Sequence, residues 1–165
     1  MSTNFLWYAG SSNNGLLVSA LSLMTTELES IANAGLAYSS VGGASGVFNN
    51  SNTGQGQLAD LFYNVGNPGI GSAVNSGGCW SGWFLTSFDG STFESVSATP
   101  PRSPDFIIPL PATTITAGSV FKTNQPIFIP ALQFKVLMQN NLGQTTGNGG
   151  TTAPWLKAAI FAQQY

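Results

Sequence analysis

The sequence predicts an all-β fold, built as a β-sandwich or jelly roll with an extended N-terminal arm and one short helix. Two observations predict the strands: short strand-like runs follow one another from residue 36 onward, and clusters of Gly, Asn, Pro and Ser separate them. A third observation favours a β-sandwich or jelly roll, because no helical segments are interleaved with these runs. The length of 165 residues suits one domain with a real hydrophobic core.

The chain divides into an arm, residues 1–15, and a single β-sandwich domain, residues 16–165. The arm is small and polar around an aromatic cluster that contains Phe5, Trp7 and Tyr8. Exposed aromatic side chains on an arm favour docking on the same domain or on a neighbouring chain. These three residues are therefore candidate partner contacts.

The segment before residue 36 is ambiguous. We expect a strand near 16–22 and a short helix near 27–33, because Thr26 and Glu29 have the spacing of a helix-capping box. A single longer helix is the alternative, since apolar residues recur at helical spacing over 17–31.

The remaining elements are expected to be strands. The clearest alternation of apolar and polar residues lies over 132–139. The expected strands cover residues 36–47, 58–65, 80–88, 105–110, 113–116, 127–129, 132–139 and 155–161.

The aromatic stretch WFLTSFDGSTFES, residues 83–95, reads as a hairpin in the middle of a sheet. Trp80, Phe84 and Phe88 fall on one face, and Trp83 and Leu85 fall on the other. The Asp-Gly pair within this stretch favours a type I′ turn, which needs positive φ at both central positions. Large residues on both faces predict cover on both sides, from a second sheet and from a neighbouring chain or the arm.

The surface is polar but nearly uncharged. Only 6% of the residues are charged, which suits a protein that sits in an assembly, since a free monomer gains little charge repulsion. Residues 1–101 hold five acidic residues and no Lys or Arg, whereas residues 102–165 hold four basic residues and one acidic residue. Because one folded domain mixes the acidic and basic halves of the chain in space, we expect no basic patch on its surface. We therefore predict that the protein does not bind nucleic acid.

The titratable residues do not predict an enzyme. Histidine is absent and Cys79 is the single cysteine, which excludes a Ser-His-Asp or Cys-His arrangement, a thiol–histidine zinc site and an internal disulfide. Among the acidic residues, Asp60 and Glu94 are left as candidates for the pair of carboxyl groups that a glycosidase needs. Their spacing in the sequence does not support that role. We predict a non-enzymatic protein without a cofactor or metal.

Neither a membrane segment nor a signal peptide is expected. No stretch reaches the roughly 18 apolar residues of a membrane helix, and the N-terminus lacks a basic region followed by an apolar run.

The segment PPRSPDF, residues 100–106, holds the only arginine. Arg102 can form a bidentate pair with a carboxylate, either its own Asp105 or one on another chain. A local loop brace and a contact between subunits both stay open. The candidate contact residues in this segment are Arg102, Pro104, Asp105 and Phe106.

Four motifs resemble a family of small virion proteins of tailed bacteriophages. The resemblance extends over roughly residues 16–162, outside the arm and the glycine-rich loop at 66–78. The motifs are LMTTELESIAN at 23–33, WFL at 83–85 with DGSTFE at 89–94, RSPD at 102–105, and FKVLMQN at 134–140 with Gly143.

This resemblance implies a β-sandwich structural protein of the phage particle, and some such proteins are capsid decoration or cement proteins. The expected partners are the major capsid protein and further copies of the chain, as a trimer or dimer. The expected location is the capsid exterior, after assembly in the host cytoplasm. The alternative is a tail, baseplate or fibre-associated virion protein that contacts a host receptor or a glycan.

Overall fold

The computed structural model describes residues 20–40, 46–49, 57–94, 102–147 and 152–161. These residues form twelve strands with antiparallel pairing and no helix, so the prediction of an all-β fold is confirmed. No described element is a helix that could cross a membrane. The arm lies outside the described residues.

The strands are short, as the frequent Gly, Pro and Asn residues require. In chain order they are β1 (Ala20–Met24), β2 (Leu36–Tyr38), β3 (Phe48–Asn49), β4 (Gln57–Asn64), β5 (Gly69–Ile70), β6 (Cys79–Ser87), β7 (Phe106–Pro109), β8 (Ile115–Thr116), β9 (Val120–Lys122), β10 (Ile127–Ile129), β11 (Gln133–Asn141) and β12 (Trp155–Phe161).

Ten of these strands form two five-stranded sheets. The first sheet has the order β1-β12-β4-β10, and β9 also pairs with β4. The second sheet has the order β2-β11-β6-β7, and β3 also pairs with β11. Strands β5 and β8 pair with each other separately. Among the described strands, β10 and β7 are therefore edge strands of the two different sheets.

Both sheets contribute side chains to one hydrophobic cluster. On β4 the alternate residues Ala59, Leu61 and Tyr63 are all buried. The Tyr63 ring meets Trp80 of the other sheet edge-on, with ring centroids 5.5 Å apart. An edge-to-face aromatic pair adds stabilisation beyond the area it buries.

Strand β6 is buried on both faces. Trp80 and Phe84 belong to the main cluster, whereas Trp83 and Leu85 form a second cluster with Leu137 of β11. All nine residues of β6 pair with β11, which makes these two strands the centre of the second sheet. The predicted division is confirmed for these four residues. It is wrong for Phe88, which follows the end of β6 and is 87% exposed.

The chain's own loop after β6 contributes to the cover of the outer face. The Trp83 Nε1 donates to the carbonyl oxygen of Arg102 at 2.8 Å. The Lys135 ammonium lies 4.7 Å from the centroid of the Phe93 ring. The beginning of this loop, at Phe93, and its end, at Arg102, therefore both contact the face of the sheet that carries the second cluster.

The turn after β6 differs from the type I′ prediction. Gly90 has φ of 76°, but Asp89 is not among the described residues with positive φ. The Asp89 carboxylate instead accepts hydrogen bonds from the amides of Thr92 at 2.7 Å and Ser91 at 2.9 Å. These bonds lower the pKa of Asp89, and the described residues after the turn form no return strand.

The alternation predicted over 132–139 is largely confirmed in β11. Phe134, Val136 and Met138 are buried, whereas Leu132 precedes the strand and is 45% exposed.

The predicted short helix at 27–33 is wrong. The amide of Glu29 bonds to Thr26 O at 3.1 Å, which closes a single turn. The next carbonyl oxygens have tertiary partners, since the Thr146 hydroxyl donates to Leu28 O at 2.7 Å. A helix needs those carbonyl groups for its own amides, so the distant polar side chain prevents the helix from continuing.

The expected capping box is also absent, because a different glutamate organises this turn. The Glu27 carboxylate accepts hydrogen bonds from the amides of Thr25 at 2.6 Å, Thr26 at 2.9 Å and Ser40 at 2.6 Å, and from the Ser40 hydroxyl. Partial burial opposes the charge, but the hydrogen bonds from Ser40 and the backbone amides outweigh it and lower the pKa of Glu27 to about 2.

Replacing Glu27 by Gln should remove part of the pH dependence of folding. A folded-state pKa of about 2, against the ordinary 4.5, gives stabilisation that is present above pH 4.5 and is lost as the pH falls towards 2. Urea unfolding across this window should show a smaller loss of stability for Glu27→Gln than for the wild type. Ser40→Ala should lie between them, and parallel curves for all three proteins would contradict the assignment.

Candidate functional site

The candidate site is a groove between the edge strands of the two sheets, which we call the seam groove. One wall comes from residues 102–107 and the other from residues 123–130, with Phe84 and Thr86 of β6 at one end. It consists of two adjoining cavities of about 340 and 350 Å³, which share Asp105 in their linings. Two distant parts of the chain therefore meet at one surface.

Prolines define both walls. Pro104 and Pro109 bracket the edge strand β7, and Pro126 and Pro130 bracket the edge strand β10. Proline donates no backbone hydrogen bond, so it is suited to strand ends and sheet edges, where it limits further pairing. The groove is therefore bounded by two short strands whose ends are fixed.

Each edge strand presents one large apolar side chain to solvent. In β7 the side chains alternate between core and surface, which leaves Ile107 47% exposed. In β10 the same alternation leaves Phe128 60% exposed. Both residues line the groove, so its surface offers apolar contact area next to a sheet edge.

The four candidate residues of the PPRSPDF segment all line the seam groove. Arg102 and Asp105 line the first cavity, and Pro104, Asp105 and Phe106 line the second. Phe106 is buried and packs on Phe84 with ring centroids 5.3 Å apart. Its role is thus to shape the wall. The other three candidates, Phe5, Trp7 and Tyr8, lie outside the described residues.

The sequence interpretation missed the wall formed by residues 123–130. It identified 127–129 as a strand but assigned it no contact role. The available signal was the similarity of SPDFIIP at 103–109 to NQPIFIP at 124–130. Both are short apolar runs between prolines, which is the pattern of an edge strand.

Arg102 braces its own loop. Its guanidinium forms a bidentate pair with Asp105, in which Nη2 lies 2.9 Å from Oδ2, and Nη2 also lies 3.4 Å from Glu94 Oε2. We call these three side chains the clasp. The hydrogen bonds to Asp105 and Glu94 hold the pKa of Arg102 above its ordinary value, so the guanidinium stays charged.

The other three basic side chains also have partners within the chain. Lys122 lies 3.3 Å from Asp60, whereas Lys135 and Lys157 lie 4.7 and 4.5 Å from the centroids of aromatic rings. Such contacts hold a cation at the surface with modest energy. With Arg102 in the clasp, every Lys and Arg of the sequence is engaged.

The lining of the seam groove suits binding through a complementary surface shape. Within the described part of the chain, no three His, Cys, Asp or Glu side chains are grouped so that they could hold a metal ion. Asp60 pairs with Lys122 in the first sheet, whereas Glu94 belongs to the clasp beside the second sheet. The groove itself combines amide side chains, paired charges and apolar residues.

No family model, curated protein or solved structure matches this chain. The resemblance to phage virion proteins therefore rests on the four motifs. The motif at 23–33 contains the end of β1 and the turn after it. Residues 83–85 lie in β6, 134–140 lie in β11, and 102–105 form part of the groove wall.

Gly82 positions Phe106 and thereby the wall of the groove. The two residues are paired across β6 and β7, and a Cβ atom at Gly82 would overlap the Phe106 ring. Gly82→Ala should therefore lower the free energy of unfolding by about 1–3 kcal/mol, as overpacking does elsewhere.

Gly71→Ala is the matched control, because a Cβ atom there meets nothing within 4 Å. Urea unfolding should leave this control close to the wild type. Equal stability of the two alanine variants would show that the Phe106 ring does not depend on Gly82.

Proposed function

We propose that this chain is a non-enzymatic structural protein of a tailed-phage particle. In this role it is a capsid decoration or cement protein that binds and stabilises the shell of major capsid protein. It is assembled in the host cytoplasm and lies on the capsid exterior. The observation that carries the proposal is the seam groove, an apolar and polar surface between two proline-bracketed sheet edges, and the motif resemblance supports it.

We further infer that the two five-stranded sheets are the layers of a β-sandwich with a jelly-roll-like arrangement. One hydrophobic cluster contains residues of both sheets, and Tyr63 contacts Trp80 between them. A rigid β core of this kind supports a groove whose walls come from different sheets.

The use of the acidic residues favours a structural role over catalysis. Glu27 organises the turn before β2, and Asp89 organises the turn after β6. Asp60, Glu94 and Asp105 pair with basic side chains. Five of the six acidic residues in the sequence thus have structural partners.

The groove and the arm would act together on the shell. An extended segment of the major capsid protein fits a groove beside a sheet edge, where backbone pairing and side-chain pockets both contribute. The arm, with Phe5, Trp7 and Tyr8, would reach a neighbouring subunit. Trimers or dimers at symmetry axes would repeat these contacts and multiply their effect through avidity.

Phe128→Ser should weaken binding to particles that lack this protein by about tenfold, because it removes an exposed apolar anchor from the groove. Co-sedimentation with such particles measures the effect. Val120→Ser is the control, since Val120 is 49% exposed, belongs to the same sheet and does not line the groove.

Stoichiometric binding of the wild-type protein to heads supports the cement role. Binding to tails or host cells alone, or to a defined glycan, would instead assign the protein to the tail, baseplate or fibre. If Phe128→Ser and Val120→Ser weaken particle binding equally, the seam groove is not the contact surface.

Deletion of residues 1–10 should leave a folded domain that binds particles much more weakly. The first described strand begins at Ala20, so the deletion removes no residue of the described strands. Circular dichroism checks the fold and co-sedimentation checks the binding. Undiminished binding by the truncated protein would refute a role for the arm aromatics.

A further inference from the structure

Among the residues that the structure describes, no strand pairs with the second half of β6 on the side of β7. Strand β7 pairs only with residues 79–82 of β6, although β6 continues to Ser87. In an antiparallel sheet, alternate residues direct both backbone groups to the same side. Gly82 is the last residue of β6 that pairs with β7. Counting in steps of two from Gly82, the next residues whose backbone groups point to that side are Phe84 and Thr86.

The clasp and its backbone occupy this edge where a strand would otherwise pair. The amide of Phe84 donates to Asp105 Oδ2 at 2.8 Å, and its carbonyl oxygen accepts from Arg102 Nη2 at 3.2 Å. The amide of Thr86 donates to Glu94 Oε2 at 3.3 Å, and its carbonyl oxygen accepts from the Glu94 amide at 3.4 Å. All four outward backbone groups of these two residues are thus satisfied.

Arg102 holds this arrangement together. It binds both acidic side chains of the clasp and Phe84 O at the same time. Without the guanidinium, Asp105 and Glu94 would repel each other and would lose the group that orients them. The side chains that cap the edge would then turn away from it.

We propose that the clasp closes a strand-pairing edge of β6, and that the partner this edge fits is the same edge of a second copy. An antiparallel pair centred on Leu85 places Phe84 opposite Thr86 of the second copy. Such a two-fold contact is self-complementary and needs no other sequence. The pairing would extend over the five residues between the end of β7 and the turn after Ser87.

Two further observations favour a second copy as the partner. The cavity of about 340 Å³ beside the edge is lined by Phe84 and Thr86 and by Arg102 and Asp105 of the clasp, so space is left next to these strand residues. The chain carries few charges to repel a copy of itself, since 6% of its residues are charged. Capping an edge with charged side chains is a known protection against such pairing. The inference is independent of a role in a phage particle.

The test is the self-association of the full chain, followed by sedimentation velocity over a wide range of protein concentration. Arg102→Ala should lower the dissociation constant for self-association by about tenfold or more relative to the wild type, roughly 1.4 kcal/mol. Lys122→Ala is the matched control, because it removes an ion pair in the other sheet, and it should leave self-association unchanged.

A second substitution tests the site of association. Thr86→Pro removes the outward amide of Thr86, and proline is tolerated at a sheet edge. Added to Arg102→Ala, it should restore the wild-type behaviour. Self-association that persists in the double variant, or that never exceeds the wild type in Arg102→Ala, overturns the proposal.

Glu94→Ala provides a second test of the proposal if the Arg102→Ala protein does not fold. This change leaves the bidentate pair between Arg102 and Asp105 in place and frees only the edge at Thr86. It should give a smaller increase in self-association, and hydrogen exchange at the Thr86 amide should accelerate. No increase in a folded Glu94→Ala protein would also overturn the proposal.

Discussion

The burial of β6 on both faces is the constraint on which the second sheet depends. One face packs Trp80 and Phe84 into the main cluster, and the other packs Trp83 and Leu85 against Leu137. Such a strand needs cover on both sides, because large apolar groups left in water cost about 25 cal/mol per Å². The loop after β6 helps to supply the outer cover and brings Arg102 back to the strand. The clasp and the groove wall follow from that return.

The strands could be predicted from the sequence wherever alternation was strong. The alternation over 132–139 corresponds to β11, in which Phe134, Val136 and Met138 are buried. The short helix failed because local spacing does not show a distant competitor. Thr146 reaches Leu28 across 118 positions, and no pattern near residue 28 reveals it. The type I′ turn failed for a local reason, since the Asp89 side chain itself accepts hydrogen bonds from the backbone amides that follow it.

One wall of the seam groove could be predicted from the sequence, and the other could not. The single arginine and the prolines around it marked one wall, because such residues are unusual in a chain with so few charges. The opposite wall required knowledge of the topology, since β7 and β10 belong to different sheets and lie far apart in the chain. A pattern of residues along the chain cannot show which edges face each other. Similar proline-bracketed runs were the one local feature that linked them.

The engagement of every basic side chain affects how any partner is found. Arg102 lies in the clasp, Lys122 pairs with Asp60, and Lys135 and Lys157 lie over aromatic rings. A surface of this kind offers little long-range attraction, so collisions are not steered by charge. Encounter rates then remain near those of neutral proteins and change little with ionic strength. Once formed, complexes depend for their lifetime on shape and apolar contact, which salt does not screen.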